Sequence, residues 1–247
     1  GGYTFHGQKV FTSLAPVWTR LLTFGADRTN PDAVRNVFAI LTRDAGGFEV
    51  ADDWDTLGMR GTQSNSTKLV GAPAPADRIL QVVAPGPSLE PIVFGIFSHF
   101  EALLAATYLG LGDRAIEVAA AHVKKRRSVK NDDVYANDPD IRWRLADAAI
   151  RMNSAHAEVT LVARELDEGR DHGMLWLPRL SGCKNAAAEA SRHAVDQAIR
   201  ACGGSSYSNS HELSRLYRDV LAGLFQPSDQ ESLHGAWANV VLGPVSR

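Results

Sequence analysis

The sequence predicts an α+β fold in which a small β-barrel or sandwich precedes an antiparallel bundle of four to five helices. The hydrophobic pattern changes along the chain from short β-rich runs to helical spacing. A stretch rich in proline, alanine and glycine separates the two patterns. We therefore predict, within the 247 residues, a β-domain at 1–82, a linker at 83–91 and a helical domain at 92–247.

The β-domain is predicted from short runs of β-branched and aromatic residues. Residues 3–5 and 9–13 flank His6-Gly7, a pattern that predicts two strands joined by a tight turn. Further strands are predicted at residues 21–24, 37–41 and 66–70. Several short strands at such spacing are typical of a small barrel or sandwich.

The helical domain is predicted from apolar residues that recur at helical spacing, beginning with a long helix at residues 92–127. Further helices are predicted at 140–168, 181–202, 212–225 and 228–242. Gly203-Gly204 provides a stop signal for the third helix. Ser228 with Glu231 has capping-box spacing, which predicts Ser228 as the N-cap of the last helix.

Composition excludes several classes of protein. A formal net charge of −2 argues against a dedicated nucleic-acid binder. Cys183 and Cys202 are too few for a disulfide framework, which favours reduced thiols and a cytoplasmic location. Uninterrupted apolar runs stay shorter than the roughly 18 residues of a membrane span, so no membrane partner is expected.

Three segments carry a family resemblance. Residues 7–13 read Gly-Gln-Lys-Val-Phe-Thr-Ser, and residues 57–65 read Leu-Gly-Met-Arg-Gly-Thr-Gln-Ser-Asn. The third is Cys202-Gly203-Gly204, followed by Tyr207 and then Arg218-Asp219. In this order they resemble the acyl-CoA dehydrogenase superfamily, with its middle β-domain and C-terminal helical domain present and its N-terminal helical domain absent.

The resemblance implies an FAD cofactor. Phe11 is expected against the isoalloxazine ring and Ser13 near the flavin N5, where a hydroxyl can donate or accept as the redox state changes. The alternative is that Phe11 is a core strand residue with Ser13 on the same face. We also expect Gly58 and Gly61 to occupy sharp turns, because glycine reaches positive φ without steric cost.

The resemblance also implies a homodimer or homotetramer, because some of the implied cofactor contacts reach the FAD of a neighbouring subunit. Asp229 and Glu231 occupy positions near FAD in relatives, although both also suit the first turn of a helix. The other candidate cofactor-binding residues are Arg126, Arg200, Gly203 and Gly204.

The catalytic base of the family does not stand at either of its usual positions. Those positions hold Phe100 and Pro227 in this sequence. Glu101 is one residue from the first of them and is our candidate base, because a carboxylate in an apolar stretch is costly without a role. A local bulge or a rotated helix could bring Glu101 into the pocket. Otherwise it is a helix-face glutamate or is paired with an arginine.

Three functions follow from the resemblance. The first is an FAD-dependent dehydrogenase that oxidises an acyl-CoA thioester to its α,β-enoyl form, with hydride transfer to N5. The second is a flavin-dependent monooxygenase, which needs no glutamate base. The third is a non-catalytic partner subunit. The expected partners are acyl-CoA or another small molecule, and an electron-transfer partner or oxygen. No metal is expected, because Glu231-x-x-His234 lacks the second such pair of a di-iron site.

Overall fold

The computed structural model describes residues 1–245 and divides the chain into two compact units. The first unit comprises residues 1–96 and holds two antiparallel sheets, and the second begins at residue 97 and is mainly helical. The predicted α+β class is therefore confirmed. The predicted helical domain includes residues 246 and 247, which lie outside the described residues.

Unit 1 is a sandwich of two three-stranded sheets, one in the order β1-β5-β4 and the other in the order β2-β3-β6. Its apolar core includes Phe5, Val37 and Leu69, which come from both sheets. The strands are β1 (Tyr3–Lys9), β2 (Arg20–Asp27), β3 (Arg35–Thr42), β4 (Phe48–Val50), β5 (Thr67–Ala74) and β6 (Ile79–Val83).

The first predicted hairpin is wrong. His6 and Gly7 lie inside β1, where a bulge after Phe5 accommodates the positive φ of Gly7. The strand ends at Lys9, and residues 10–18 form a loop instead of the predicted second strand. The predictions at 21–24, 37–41 and 66–70 are confirmed, since β2, β3 and β5 cover them apart from Ser66.

Unit 2 contains the helical part of the fold and a two-stranded hairpin, β7 (Arg127–Ser128) with β8 (Asp133–Val134). All five predicted helices are present, although the third begins earlier and the fourth ends earlier than expected. The helices are α1 (Pro91–Lys125, of which 91–96 belong to unit 1), α2 (Pro139–Asp167), α3 (Trp176–Cys202), α4 (Glu212–Val220) and α5 (Gln230–Leu242).

Helix α3 is the centre of this unit, because it packs against α2, α4 and α5 and most of its residues are buried. Its many alanines leave room for close approach of neighbouring backbones. Helix α1 reaches α3 through Ser191, whose hydroxyl donates to the carbonyl oxygen of Tyr108 at 2.6 Å. A Cβ on Gly112 would lie 2.8 Å from the same hydroxyl, so α1 can pack this closely only with glycine there.

The predicted cap of α5 is also wrong. Asp229, and not Ser228, is the N-cap, and its carboxylate accepts from the backbone N–H of Ser232 at 2.9 Å. Ser228 lies one residue before the cap, and its backbone N–H donates to the Glu101 carboxylate.

By length and composition alone, α1 could cross a membrane. Uninterrupted apolar runs did not identify this helix, because a few polar residues divide its apolar stretch. Core helices of soluble proteins pass the same test. The buried residues of α1 recur at helical spacing and include Ser98 and Glu101, as expected of a helix with one packed face.

Gly112→Ala should lower the free energy of unfolding by about 1–3 kcal/mol, because the added methyl group would overlap the fixed Ser191 hydroxyl and the Met152 thioether. Gly110→Ala on the same helix is the matched control. That position is open, so the substitution should raise stability by up to about 1 kcal/mol. Chemical denaturation measures both, and equal effects of the two substitutions would contradict the packing argument.

Candidate functional site

Two loops of unit 1 meet where the sequence predicted flavin contacts. The 10–18 loop follows β1, and the 54–65 loop precedes β5. The backbone N–H groups of Leu14 and Ala15 donate to the carbonyl oxygens of Thr62 and Gln63 at 2.8 and 3.2 Å. These bonds hold the loops together, so two segments distant in sequence form one surface.

The guanidinium group of Arg43 anchors the far end of the 10–18 loop. It donates to the carbonyl oxygens of Ala15 and Trp18, and it stacks 4.5 Å from the ring of Trp18. Phe48 flanks the same guanidinium at 5.3 Å. Such contacts limit the movement of a loop that would otherwise carry few restraints.

Four non-glycine residues of the two loops have left-handed backbone conformations: Phe11, Leu14, Met59 and Gln63, with φ between 45° and 60°. Each such residue costs on the order of 1–3 kcal/mol, and strain of this kind clusters at functional sites. Gly58 lies in a bend and Gly61 in a short 3-10 helix, so both occupy tight turns as expected, but neither has the positive φ that was given as the reason.

Phe11 is 71% exposed, which contradicts the alternative that it is a core strand residue. Its ring meets the Trp54 ring edge-on, with centroids 6.1 Å apart, and the Trp54 indole N–H donates to the carbonyl oxygen of Met59 at 3.2 Å. The two loops carry further exposed apolar side chains: Val10, Leu14, Val17 and Leu57. The surface offers an apolar wall to a flat ring.

The hydroxyl of Ser13 lies beside this wall. Its oxygen is 3.0 Å from the hydroxyl oxygen of Ser64, which is buried in the 54–65 loop. Phe11 and Ser13 are therefore presented by one strained loop as an aromatic face with a polar group next to it. This arrangement suits an isoalloxazine ring, whose flat body is apolar and whose edge carries hydrogen-bonding nitrogens.

Glu101 lies inside unit 2. Helix α1 is unbroken from Pro91 to Lys125, so the bulge that was expected to rotate Glu101 is absent. The side chain is fully buried, while that of Phe100 is 42% exposed, in keeping with the 100° rotation between successive helical residues. A base role for Glu101 required a bulge or a rotation of α1, and the helix shows neither. The helix therefore gives this role no support.

The Glu101 carboxylate has two different oxygen environments. One oxygen accepts from the backbone N–H of Ser228 at 2.8 Å, and the other is buried without a hydrogen-bond partner. Burial raises the pKa of the Glu101 carboxyl above its ordinary value, against the opposing effects of the Ser228 bond and the Lys184 charge. The charge that acts on it is a lysine, so the alternative of an arginine partner is also wrong.

Lys184 of α3 is fully buried and donates to three carbonyl oxygens: those of Gly223, Gln226 and Ser228, at 3.0, 2.7 and 3.2 Å. All three ammonium hydrogens have partners, which offsets the cost of burying the charge. The Tyr108 hydroxyl donates to the Gln226 side chain at 2.7 Å. The segment 223–228 is thus fixed to α1 and α3 by buried polar groups.

Four predicted cofactor residues lie near the hairpin end of α3. A cleft of about 560 Å³ is lined by Arg200, Gly203, residues of the β7–β8 hairpin and Tyr135, which directly follows that hairpin. The Arg126 guanidinium lies 5.5 Å from the Tyr135 ring centroid. Arg200 pairs with Asp196 at 2.8 Å. Gly203 ends α3 with a φ of 67°, which confirms the predicted stop, and space is open beside Gly204.

Asp229 and Glu231 lie at the start of α5. Both are acids at the N-terminus of a helix, which is the alternative to a cofactor contact. Asp229 caps the helix, and its bonds to Ser232 hold the pKa of the Asp229 carboxyl below its ordinary value. Their proximity to a cofactor stays a prediction. Within residues 1–245, no group of three or more histidine, cysteine, aspartate or glutamate side chains could hold a metal ion.

Sequence reasoning missed Lys184, Thr62 and Ser64. Lys184 shares the packed face of α3 with small apolar residues such as Ala187 and Ala188, and a lysine on that face is the signal that could have identified it. Thr62 and Ser64 lie in the quoted family motif, but only the three-dimensional contact with Ser13 gives them a role.

Glu101→Gln should change stability in a pH-dependent way. Because the folded-state pKa of Glu101 is raised, its contribution is fully present below the unfolded pKa of about 4.5 and is lost as the pH rises through the folded value. Glutamine does not ionise and can still accept from the Ser228 N–H. The variant should therefore gain stability relative to the native protein as the pH rises.

Urea denaturation from about pH 4 to about pH 8 measures this difference. Glu49→Gln, on the exposed side of β4, is the matched control and should show no such trend. A stability difference that is the same for Glu101→Gln at every pH would contradict the buried-carboxylate argument.

Comparisons with known proteins agree with this architecture. The amino sugar nitrososynthase DnmZ of Streptomyces peucetius is 27% identical over 91% of this chain and 55% of its own length. The mitochondrial 2-methylacyl-CoA dehydrogenase of Solanum tuberosum is 26% identical over 89% of this chain and 52% of its own length. The chain thus spans about half the length of these relatives.

A solved structure gives the same fold. KijD3 in complex with FMN and dTDP-3-amino-2,3,6-trideoxy-4-keto-3-methyl-D-glucose superposes with a TM-score of 0.80 at 24% identity, over 100% of this chain and 61% of that one. The family profile described as "Acyl-CoA dehydrogenase, C-terminal domain" matches residues 92–225, more than half of the chain. The chain belongs to the acyl-CoA dehydrogenase superfamily.

Proposed function

We propose that the protein is a flavin-dependent oxidoreductase of the monooxygenase type, which oxidises a small molecule with reduced flavin and oxygen. The observation that carries this choice is the enclosure of Glu101. A dehydrogenase needs a carboxylate that reaches the α-carbon of its substrate. Glu101 is bonded to the Ser228 N–H inside unit 2, and Phe100 and Pro227 hold the family's two base positions.

The cofactor that fits unit 1 is a flavin. Phe11 offers an exposed aromatic face, and the Ser13 hydroxyl lies within the same loop to meet the N5 edge of the ring. We predicted FAD, whereas KijD3 was solved in complex with FMN. Both contain the isoalloxazine ring, and that ring is the part that these residues would contact. The flavin supplies the electrons, and the protein orients the ring and shields one face from water.

The substrate class that we propose is an amine on a nucleotide-linked sugar. DnmZ is named an amino sugar nitrososynthase, and KijD3 was solved with an amino sugar nucleotide. The first oxidation of such an amine adds one oxygen atom of O2 to nitrogen. The second oxygen atom leaves as water, with two electrons and two protons from the reduced flavin. No carboxylate base at a substrate α-carbon is required for this step.

Acyl-CoA dehydrogenation is the second candidate, favoured by the motif at residues 57–65 and by the likeness to 2-methylacyl-CoA dehydrogenase. The intact protein with bound flavin separates the two. Bleaching of the flavin by an acyl-CoA under anaerobic conditions would support the dehydrogenase and overturn our proposal. Incorporation of labelled oxygen from O2 into an amino sugar nucleotide would support it. No flavin response to either would favour the non-catalytic partner subunit.

Phe11→Ala should weaken flavin binding by roughly 10- to 100-fold, because it removes a stacked aromatic contact worth about 1.5–3 kcal/mol of apolar burial. Val70→Ala is the control, since Val70 is an exposed apolar residue of β5 outside both loops. Flavin fluorescence titration of the intact protein measures both dissociation constants. An unchanged affinity in Phe11→Ala would contradict the assignment of this loop to the flavin.

We also propose that the protein forms a homodimer or homotetramer through its helical unit. Large apolar side chains of α1 and α5 are exposed there, among them Leu103, Val241 and Leu242. Sedimentation of the intact protein at micromolar concentration should show the oligomer. A monomer under those conditions would contradict this proposal, and Leu103→Glu should shift the native protein toward that state.

A further inference from the structure

Three hydroxyl groups form a continuous chain between the two loops of unit 1. The Ser13 and Ser64 oxygens are 3.0 Å apart, and the Ser64 and Thr62 oxygens are 2.8 Å apart. The Thr62 hydroxyl oxygen lies 2.8 Å from the carbonyl oxygen of Met59. Ser13 is the outer end of this chain, and Met59 is the inner end.

Counting hydrogens gives the chain one direction. Each hydroxyl has a single hydrogen, and a carbonyl oxygen can only accept. Thr62 therefore donates its hydrogen to the Met59 carbonyl oxygen. In the next contact Ser64 must donate to Thr62, and Ser13 must then donate to Ser64. The hydrogen of Ser13 points into the protein, and only its lone pairs face outward.

The surroundings hold this chain in place. Ser64 is 6% exposed, so water has little access to the middle of the chain. The Leu14 N–H bond to the Thr62 carbonyl oxygen fixes the two loops beside each other. Hydrogen bonds in series also polarise one another, which makes each hydroxyl a better acceptor for the group before it.

We propose that Thr62 and Ser64 are positioning residues that hold Ser13 as a hydrogen-bond acceptor toward the flavin N5. The proposal rests on the flavin site assigned above and refines the earlier expectation that Ser13 both donates and accepts. Reduced flavin carries a hydrogen on N5, whereas oxidised flavin offers a lone pair there. An accepting Ser13 bonds to the first and not to the second, so the chain of hydroxyls favours the reduced cofactor.

The test is the midpoint potential of flavin bound to the intact protein, measured together with its oxidised-state dissociation constant. Ser64→Ala removes the acceptor of the Ser13 hydrogen, which can then turn outward and bond the oxidised N5. Thr62→Val removes the acceptor of the Ser64 hydrogen, so Ser64 can donate to Ser13 instead and Ser13 can again donate outward. Both should lower the midpoint potential, by about 30 mV for each tenfold change in the ratio of oxidised-state to reduced-state dissociation constants. Ser13→Ala, which removes the acceptor, should shift the potential in the same direction.

Thr56→Val is the matched control. Its hydroxyl also donates to a backbone carbonyl oxygen of the 54–65 loop, that of Gly58 at 2.8 Å, but lies outside the chain. The control should leave the potential unchanged. A purely structural role of Thr62 and Ser64 would weaken both redox forms equally and would also leave the potential unchanged, a result that would overturn the proposal.

The variants distinguish a wrong hydroxyl chain from a wrong flavin site. If Ser13→Ala lowers the potential while Ser64→Ala and Thr62→Val do not, the flavin site stands and the directed chain is wrong. If the native protein binds no flavin, or if Ser13→Ala changes neither affinity nor potential, the flavin site itself is wrong. Because Thr62→Val is nearly isosteric, it tests the chain even if Ser64→Ala disturbs the fold.

Discussion

The buried ammonium group of Lys184 is the interaction on which the arrangement of unit 2 depends. It gathers three carbonyl oxygens of the segment 223–228 onto α3, and Glu101 of α1 binds the N–H of Ser228 from the other side. An isolated charge at this depth would be too costly to keep, so the segment must take the path that satisfies it. The start of α5 follows from that path, because Asp229 caps the helix directly after Ser228.

The bond to the Ser228 N–H also limits what the Glu101 carboxylate can do chemically. A carboxylate that serves as the fixed acceptor for a backbone N–H, with no opening to solvent, is poorly suited to exchange protons with a substrate. The strained loops of unit 1 have the opposite character. They expose an aromatic ring and a hydroxyl group, and they do so in backbone conformations that carry a cost. The exposed aromatic ring and hydroxyl group of unit 1 and the enclosed carboxylate of unit 2 are the two observations on which the proposed function rests.

The spacing of hydrophobic residues and the composition predicted the α+β class and the five helices, because strands and helices of this kind depend on local hydrophobic spacing. They failed for Phe11, since β-propensity predicted a strand where the Leu14–Thr62 and Ala15–Gln63 backbone bonds hold a turn. The positive φ values expected of Gly58 and Gly61 fall on Met59 and Gln63 instead. The Gln63 carbonyl oxygen accepts from the Ala15 N–H of the other loop, a contact that local sequence does not encode. Ser228 has capping-box spacing to Glu231, but its backbone N–H is bonded to the Glu101 carboxylate. Asp229 is the N-cap of α5 instead. The errors at Phe11 and Ser228 come from contacts between residues distant in sequence.

The hydroxyl chain from Ser13 to Met59 lies wholly within unit 1, whereas Glu101, Lys184 and the segment they hold lie wholly within unit 2. A substitution in the hydroxyl chain therefore leaves the buried polar bonds of the helical unit in place, and a substitution near Lys184 leaves the hydroxyl chain in place. The two networks can change independently during evolution, because neither supplies a donor or an acceptor to the other.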